Sequence, residues 1–505
     1  MTLHQERRSL DVLWMMVALA LFVGLGHRAL HHFDDFGYLY AATHYSPSAI
    51  AAGQFESSNV NGFFNAKIGH VMLLQLLKGW VGSGTGAITT LAWVYTAFVA
   101  VTNILLVQFI RLVWSDRRHA MLIGMASLVA PVTIYMAPKL LTETPAMLGS
   151  MASLVFLVLG LRAQRRVAAG AWWVMSALAL SCGLISRGTV CVMVASAWFA
   201  LWAACPPSLQ RGRVFSATLA VALLTLGSVL FMDLFFAFHL MRGGTLIHAV
   251  MGIGGLRRDV MRRAVFAFGP ILMLVPFAFA SRRRRELWFY ALWVMCSTLP
   301  IVILFRYAEE RYFINGLSGM VGLAVLGGEA VWVWMQASRR AAVQRLLVVL
   351  AVVAVVASNQ YIQPRTVYEV DTTAYAKVMA WIAETNPQRP IVIPWTWSDY
   401  HYLRLAYPDA PVYLGNTGSF FGPTTYTKNS REWIAAEHRW YGDRYVEDLS
   451  ALQRLGSPPW LYVSWQVPGW GTDQFSWVQK ESRVRLIPVF HEACYTVYRV
   501  EERSS

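Results

Sequence analysis

The chain has 505 residues, of which 56% are hydrophobic and only 14% charged, and its mean hydropathy is +0.43. A soluble protein carries about a quarter charged residues, so a soluble globular fold is excluded and most of this surface is built to face lipid. The net charge of +15 is not a nucleic-acid signature, because from Arg365 onward about 14 basic and 15 acidic side chains nearly cancel; the excess sits between hydrophobic segments, where it acts as a topology signal.

Arg7 and Arg8 precede an apolar run from Leu10 that lacks a small-residue cleavage site, which reads as an uncleaved first helix. Further runs of membrane-spanning length follow, giving segments near 10–29, 87–113, 120–137, 144–161, 171–186, 188–205, 214–238, 264–281, 287–305, 313–337 and 346–360. About eleven transmembrane helices are therefore expected. With Arg7 and Arg8 inside, each later inside loop carries a basic cluster: Arg117/Arg118, Arg162/Arg165/Arg166, Arg211/Arg213, Arg282 to Arg285, and Arg339/Arg340/Arg345. That alternation supports both the count and the orientation. An odd number of crossings places residues 361–505 outside the cytoplasm. There, helix-like stretches at 372–385, 430–439 and 446–455 alternate with strand-length runs ("RPIVIPW", "APVYLG", "PWLYVSW", "YTVYRV"). The chain thus divides into a membrane module, 1–360, and an extracytoplasmic α/β or α+β domain, 361–505.

Cys182, Cys191, Cys205, Cys296 and Cys494 show no metal-ligand spacing and imply no disulfide framework. No Walker loop or dinucleotide fingerprint is present, so no soluble nucleotide cofactor is indicated.

Carboxylates near lipid are costly and tend to have a reason. In the first outer loop, 30–86, "HHFDDFGYLYAATHY" sets Asp34 and Asp35 where the chain leaves the membrane. One of an adjacent pair can serve as a general base or as a ligand of a divalent metal while the other orients it; a solvated helix cap is the alternative. "APKLLTETPAML" puts Glu143 at a helix start, able to act in a cavity or merely to favour the helix dipole. In "RYAEERYFING", Arg306 and Arg311 flank Glu309 and Glu310, with Tyr312 beside them. An arginine forks onto phosphate, while the glutamates position it or contact a sugar; a local salt-bridge cluster is the alternative. Arg257, Arg258, Arg262 and Arg263 fall on the outer side against the positive-inside rule, which suits a lipid phosphate, and Arg187 at an outer helix junction is a further phosphate candidate.

The order of these features resembles the C-type glycosyltransferases, especially the branch of protein O-mannosyltransferases and lipid A aminoarabinose transferases. "FDDFGYLY" follows helix 1, "PKLLTETPAM" lies between helices 3 and 4, and "ERYF" precedes helix 10, so the resemblance spans roughly the first 340 residues plus the plan of a C-terminal outer domain. It implies an enzyme that transfers a sugar from a polyprenyl-phosphate donor to a lipid, glycan or protein acceptor at the outer membrane face, usually with inversion. Asp34 and Asp35 match the family's acidic pair. The family's HPP-type motif is replaced by "NAKIGH", which leaves acceptor-side roles for Lys67 and His70 open. Membrane lipids are the expected surroundings, a bacterial inner membrane the expected location, and no cofactor is implied apart from the metal role left open at the acidic pair. The rival class is a secondary transporter or flippase for a lipid-linked or anionic substrate. Against it stand the outer placement of the carboxylates, the large outer domain and the lack of repeat symmetry.

Overall fold

A computed structural model describes residues 15–26, 28–46, 67–235, 258–304, 310–337, 350, 353–354, 356–357, 369–386, 388–394, 397–415, 441–446, 449–465 and 484–502. Two compact units are present: the first comprises 1–27, 65–70 and 92–366, and the second 28–64, 71–91 and 367–505.

The first unit is helical and polytopic. Among the described residues, seven helices are long and apolar enough to cross a membrane: Thr85–Trp114, Glu143–Arg162, Arg166–Ser186, Arg211–Met232, Val260–Ala280, Arg284–Ile303 and Arg311–Gln336. The runs expected near 10–29 and 188–205 form shorter helices, Met15–Leu25 and Val192–Ala203. The run near 120–137 divides at Pro131 into Arg117–Leu128 and Pro131–Met136. Proline has no N–H to donate and biases the preceding residue away from helical geometry, and Ala130 is extended, at φ −63° and ψ 136°. The run near 346–360 lies largely outside the described residues. Residues Gly269–Ala280 wind as a 3₁₀ helix, with Pro270 at its start and Pro276 inside.

Close helix packing depends on small residues, as is usual between membrane helices. Helices Glu143–Arg162 and Arg166–Ser186 approach so closely that a Cβ on Gly149 would stand 2.6 Å from the Ala179 carbonyl. At the wider contacts, aromatic rings fill the core: Phe109 and Trp293 meet edge to face at 5.8 Å.

Several of the scarce carboxylates are consumed in one network. Arg283 lies 2.7 Å from Asp116, 3.2 Å from Glu286 and 3.6 Å from Glu329. His119, fully buried, places Nε2 3.1 Å from the Tyr290 hydroxyl and Nδ1 3.3 Å from Glu329. These residues tie together the segments that carry Asp116, Arg283 and Glu329.

The second unit gathers the first loop with the C-terminal residues. Strand β1 (Leu30–His32) pairs antiparallel with β2 (Glu369–Asp371). The Thr372 amide and hydroxyl both donate to the Ala29 carbonyl, at 2.9 and 3.0 Å. Asp371 then caps helix Thr372–Thr385 by accepting from the amides of Thr373 and Ala374. The short strands β4 (Leu414–Gly415) and β5 (Tyr445–Val446) pair in parallel, and a four-stranded mixed sheet has the order β3-β6-β8-β7, from β3 (Ile391–Pro394), β6 (Trp460–Trp465), β7 (Val484–Glu492) and β8 (Tyr495–Glu502). β3 and β6 run parallel and the remaining pairs antiparallel. The core of this sheet contains Ile393, Val446, Leu452, Trp460, Tyr462 and Val500. The helix expected at 372–385 forms as Thr372–Thr385, while that expected at 430–439 lies outside the described residues.

Candidate active site

In the first unit, Glu143 opens helix Glu143–Arg162, and its carboxylate is almost completely buried. Arg187 Nη1 lies 2.7 Å from Glu143 Oε1, and Arg311 Nε lies 3.3 Å from the same oxygen. Thr142 Oγ1 donates to Glu143 Oε2 at 3.0 Å and accepts from Arg187 Nη1 at 3.0 Å. Arg187 Nε donates to Thr189 Oγ1 at 2.9 Å. Both guanidiniums also face the Tyr312 ring, at 4.9 and 5.5 Å from its centroid. Arg187 and Arg311 are themselves buried, at 8% and 3% exposure. Two guanidiniums and a carboxylate are thus buried together in a place where water screens little.

That geometry changes the chemistry open to Glu143. Its oxygens already serve two guanidiniums and a hydroxyl, which is the setting of a counter-ion that positions arginines. Lys139, also buried, lies 3.9 Å over the Tyr135 ring just upstream of this turn.

His70 stands in the short helix Ile68–Val81. Its Nε2 lies 3.0 Å from the Leu140 carbonyl, which can only accept, so Nε2 carries the proton. Nδ1, 3.2 Å from the Tyr95 hydroxyl, is then the acceptor. Burial pushes His70 down to about 3, against the opposing effects of the Leu140 hydrogen bond and the Glu143 charge, while Lys67 and Arg187 lower it further. His70 is therefore a neutral strut beneath the turn that leads to Glu143, with both ring nitrogens engaged by the protein.

The remaining arginine candidates divide. Arg262 is exposed, with its guanidinium 5.3 Å from the Phe266 ring, and Arg263 is half-buried on the same helix, Arg258–Phe268. This helix packs against the turn Glu310–Phe313 that holds Arg311, with Phe268 and Phe313 in edge contact at 6.1 Å. Arg258 and Glu310 have described backbones only, and Arg257, Arg306 and Glu309 lie outside the described residues.

In the second unit, Asp34 and Asp35 occupy the first turn of helix Phe33–His44. The helix cap expected as an alternative is present, but it is buried: Asp34 is 1% exposed and Asp35 0%. His32 Nδ1 accepts from the Asp34 amide at 3.2 Å, and the His32 amide donates to Asp35 Oδ2 at 3.1 Å, a reciprocal capping box. His31 Nδ1 lies 3.4 Å from the same oxygen. Asp35 Oδ1 is buried with no hydrogen-bond partner among the described residues. Among those residues no group of three or more His, Cys, Asp or Glu is arranged to hold a metal ion.

Helix Phe33–His44 is held by helix Trp397–Ala406. Phe36 meets Tyr402 at 4.9 Å, and Tyr40 stacks on His401 at 4.2 Å. His401 and Tyr402 thus support the helix that carries the acidic pair. Sequence reasoning missed Thr142 and Thr189 as partners of Arg187 and Tyr95 as the partner of His70; lone threonines and a tyrosine inside apolar runs carry no local signal.

No protein-family model matches the chain, and no curated protein matches it. Solved structures do. ArnT from Cupriavidus metallidurans bound to undecaprenyl phosphate is similar over 96% of this chain and 97% of its own, at 16% identity and a TM-score of 0.54. The apo state of the same protein gives 0.55 over 98% of each chain. AglB, an oligosaccharyltransferase from Archaeoglobus fulgidus in complex with an inhibitory peptide and a dolichol-phosphate, matches 91% of this chain and 70% of its own, at 11% identity and a TM-score of 0.54. At these identities the likeness is one of fold, shared with ArnT and AglB.

Proposed function

We propose that the chain is a membrane glycosyltransferase that moves a sugar from a polyprenyl-phosphate-linked donor to a lipid, glycan or protein acceptor. The observation that carries this reading is the buried cluster in which Arg187 and Arg311 share the carboxylate of Glu143. Two buried guanidiniums suit a phosphate that gains negative charge as its bond to the sugar breaks. Fold neighbours that hold undecaprenyl phosphate or dolichol-phosphate support the same ligand class. In this reading Arg187 and Arg311 hold the donor phosphate, with Arg257, Arg258, Arg262, Arg263 and Arg306 as further contributors. Glu143 orients the two buried arginines and Tyr312 backs them. Glu309 and Glu310 contact the sugar.

The base is assigned to the acidic pair, with Asp35 preferred. Its Oδ2 is held by the capping box, which orients the carboxylate, while Oδ1 is left for the acceptor. A buried polar atom without a partner calls for an explanation, and an incoming hydroxyl supplies one. The acceptor oxygen gives its proton to the carboxylate and bonds to the anomeric carbon. The bond from that carbon to phosphate oxygen breaks, its electron pair leaves on the phosphate, and the configuration inverts. No step is routed through a metal.

The reading places eleven crossings in a bacterial inner membrane, with an α/β or α+β C-terminal domain on the outer side. The test is transfer from a synthetic polyprenyl-phosphate sugar by the purified chain. Arg187→Ala and Arg311→Ala should each raise the donor KM by roughly 10–100-fold, the effect of about 1.5–3 kcal/mol for a charge-assisted hydrogen bond. Unchanged donor KM in both variants removes the phosphate assignment. Normal transfer combined with failed uptake of a solute would favour a transporter instead.

A further inference from the structure

Arg283 and Arg285 stand two positions apart in the chain, yet their surroundings differ. Arg283 is neutralised by three carboxylates. Arg285 is exposed and has no carboxylate partner among the described residues, and the same holds for Arg211, whose Nη2 donates only to the Ala203 carbonyl, at 3.0 Å. Both line a pocket of about 520 Å³, together with Cys205, Leu209, Trp288 and Leu292. The Cys205 thiol feels both guanidinium charges, so the two cations act on one small volume.

The position of this pocket along the helices matters. It lies where helix Val192–Ala203 ends and where the candidate spans Arg211–Met232 and Arg284–Ile303 begin. That is the level at which apolar side chains give way to charge, the boundary between hydrocarbon and headgroups. Trp288 is 59% exposed here, as an interfacial tryptophan is when its ring faces lipid. An open cavity at this level fills with lipid in a bilayer, and two unneutralised guanidiniums select among lipids by charge.

We infer that this pocket holds the phosphate headgroup of an anionic membrane lipid between Arg211 and Arg285, with the glycerol and upper acyl carbons along Leu209, Trp288 and Leu292. The inference needs only that the chain spans a membrane; it is independent of the proposed sugar transfer.

The full chain in detergent is titrated with dioleoylphosphatidylglycerol or dioleoylphosphatidylcholine. Native mass spectrometry reads lipid retention, and peptide mass spectrometry reads alkylation of Cys205. The anionic lipid should be retained, and should slow Cys205 alkylation, at about tenfold lower concentration than the zwitterionic one, a difference of about 1.4 kcal/mol. The double variant Arg211→Gln, Arg285→Gln should lose that preference. Equal potency of the two lipids overturns the assignment, as does a preference that survives in the double variant. Inorganic phosphate at the same concentrations should not slow alkylation; equal slowing would mark a free-anion site and overturn the lipid reading. Should the double variant fail to fold, Trp288→Ala takes its place. It should weaken retention of the anionic lipid, and unchanged retention counts against the pocket.

Discussion

A carboxylate does different work according to what already occupies its oxygens. Asp35 has one oxygen bound into a capping box and one without a hydrogen-bond partner among the described residues, whereas Glu143 is held by two guanidiniums. Asp35→Asn keeps a carbonyl oxygen for the His32 amide and removes proton-accepting power, so sugar transfer should fall by about 10²–10⁴ while the protein stays folded. Asp34→Asn is the companion variant; near-normal turnover in both would move the base elsewhere. Glu143→Gln should behave differently. It leaves two guanidiniums buried with a weaker partner, so stability should drop by up to roughly 3–5 kcal/mol. Donor KM should rise, and the pH dependence of kcat should not move. A kcat profile that loses its acidic limb in Glu143→Gln would restore Glu143 as the base.

His70 carries a pH prediction with a definite sign. In the folded chain it is pushed down to about 3 from an ordinary 6.5. Below pH 6.5 the unfolded chain takes up a proton that the native chain refuses, so stability is fully present above that pH and is lost as pH falls toward 3. The slope is at most about 1.4 kcal/mol per pH unit from this residue. His70→Gln should be less stable at pH 7, because the Leu140 and Tyr95 contacts are disturbed, and should show a shallower decline between pH 6.5 and 4. Thermal unfolding followed at several pH values checks this; parallel declines would assign acid sensitivity to other groups.

Among the elements, one close helix approach in the described membrane part is specified by an absent side chain. Gly149 faces backbone, which cannot yield as a flexible side chain can, so Gly149→Val should cost about 1–3 kcal/mol by overpacking. Gly170, in the neighbouring helix, has nothing within 4 Å of its Cβ position. There Gly170→Ala should be neutral or stabilising by up to about 1 kcal/mol through helix propensity. Equal destabilisation by the two variants would show that glycine acts through backbone freedom and not through close approach. Pro131 illustrates a related limit of hydropathy: the run around it is apolar throughout, yet the missing N–H divides it into two helices.

For the whole molecule, the division into units cuts across the chain order. Residues 28–64 and 71–91 belong with 367–505, so the residues of helices Ile68–Val81 and Thr85–Trp114 are divided between the two sets. The proposed topology is checked in a cysteine-free background. A cysteine at Asp409, which is exposed in the second unit, should react with a membrane-impermeant maleimide in intact cells. One at Gln164, exposed in the loop between helices Glu143–Arg162 and Arg166–Ser186, should react only after the membrane is opened. The reverse pattern would invert the orientation and remove the outer-face assignment.

What the amino-acid sequence determined by itself is the set of properties that depend on neighbours along the chain. Apolar runs marked helices such as Glu143–Arg162 and Arg284–Leu304 within a few residues, because a buried or lipid-facing helix needs a continuous apolar stretch. Strand-length runs likewise marked β3, β6 and β8. The acidic pair was legible as two carboxylates beside a membrane segment. Only tertiary structure decided who meets whom. Arg187 and Arg311 reach Glu143 from distant segments, His70 spends both nitrogens inside the protein, and β1 finds its partner strand beyond residue 368. Periodicity states which face of an element turns inward, but the partner on the other side is chosen by packing register. In a medium of low dielectric that choice decides whether a buried charge serves as a base or as a counter-ion.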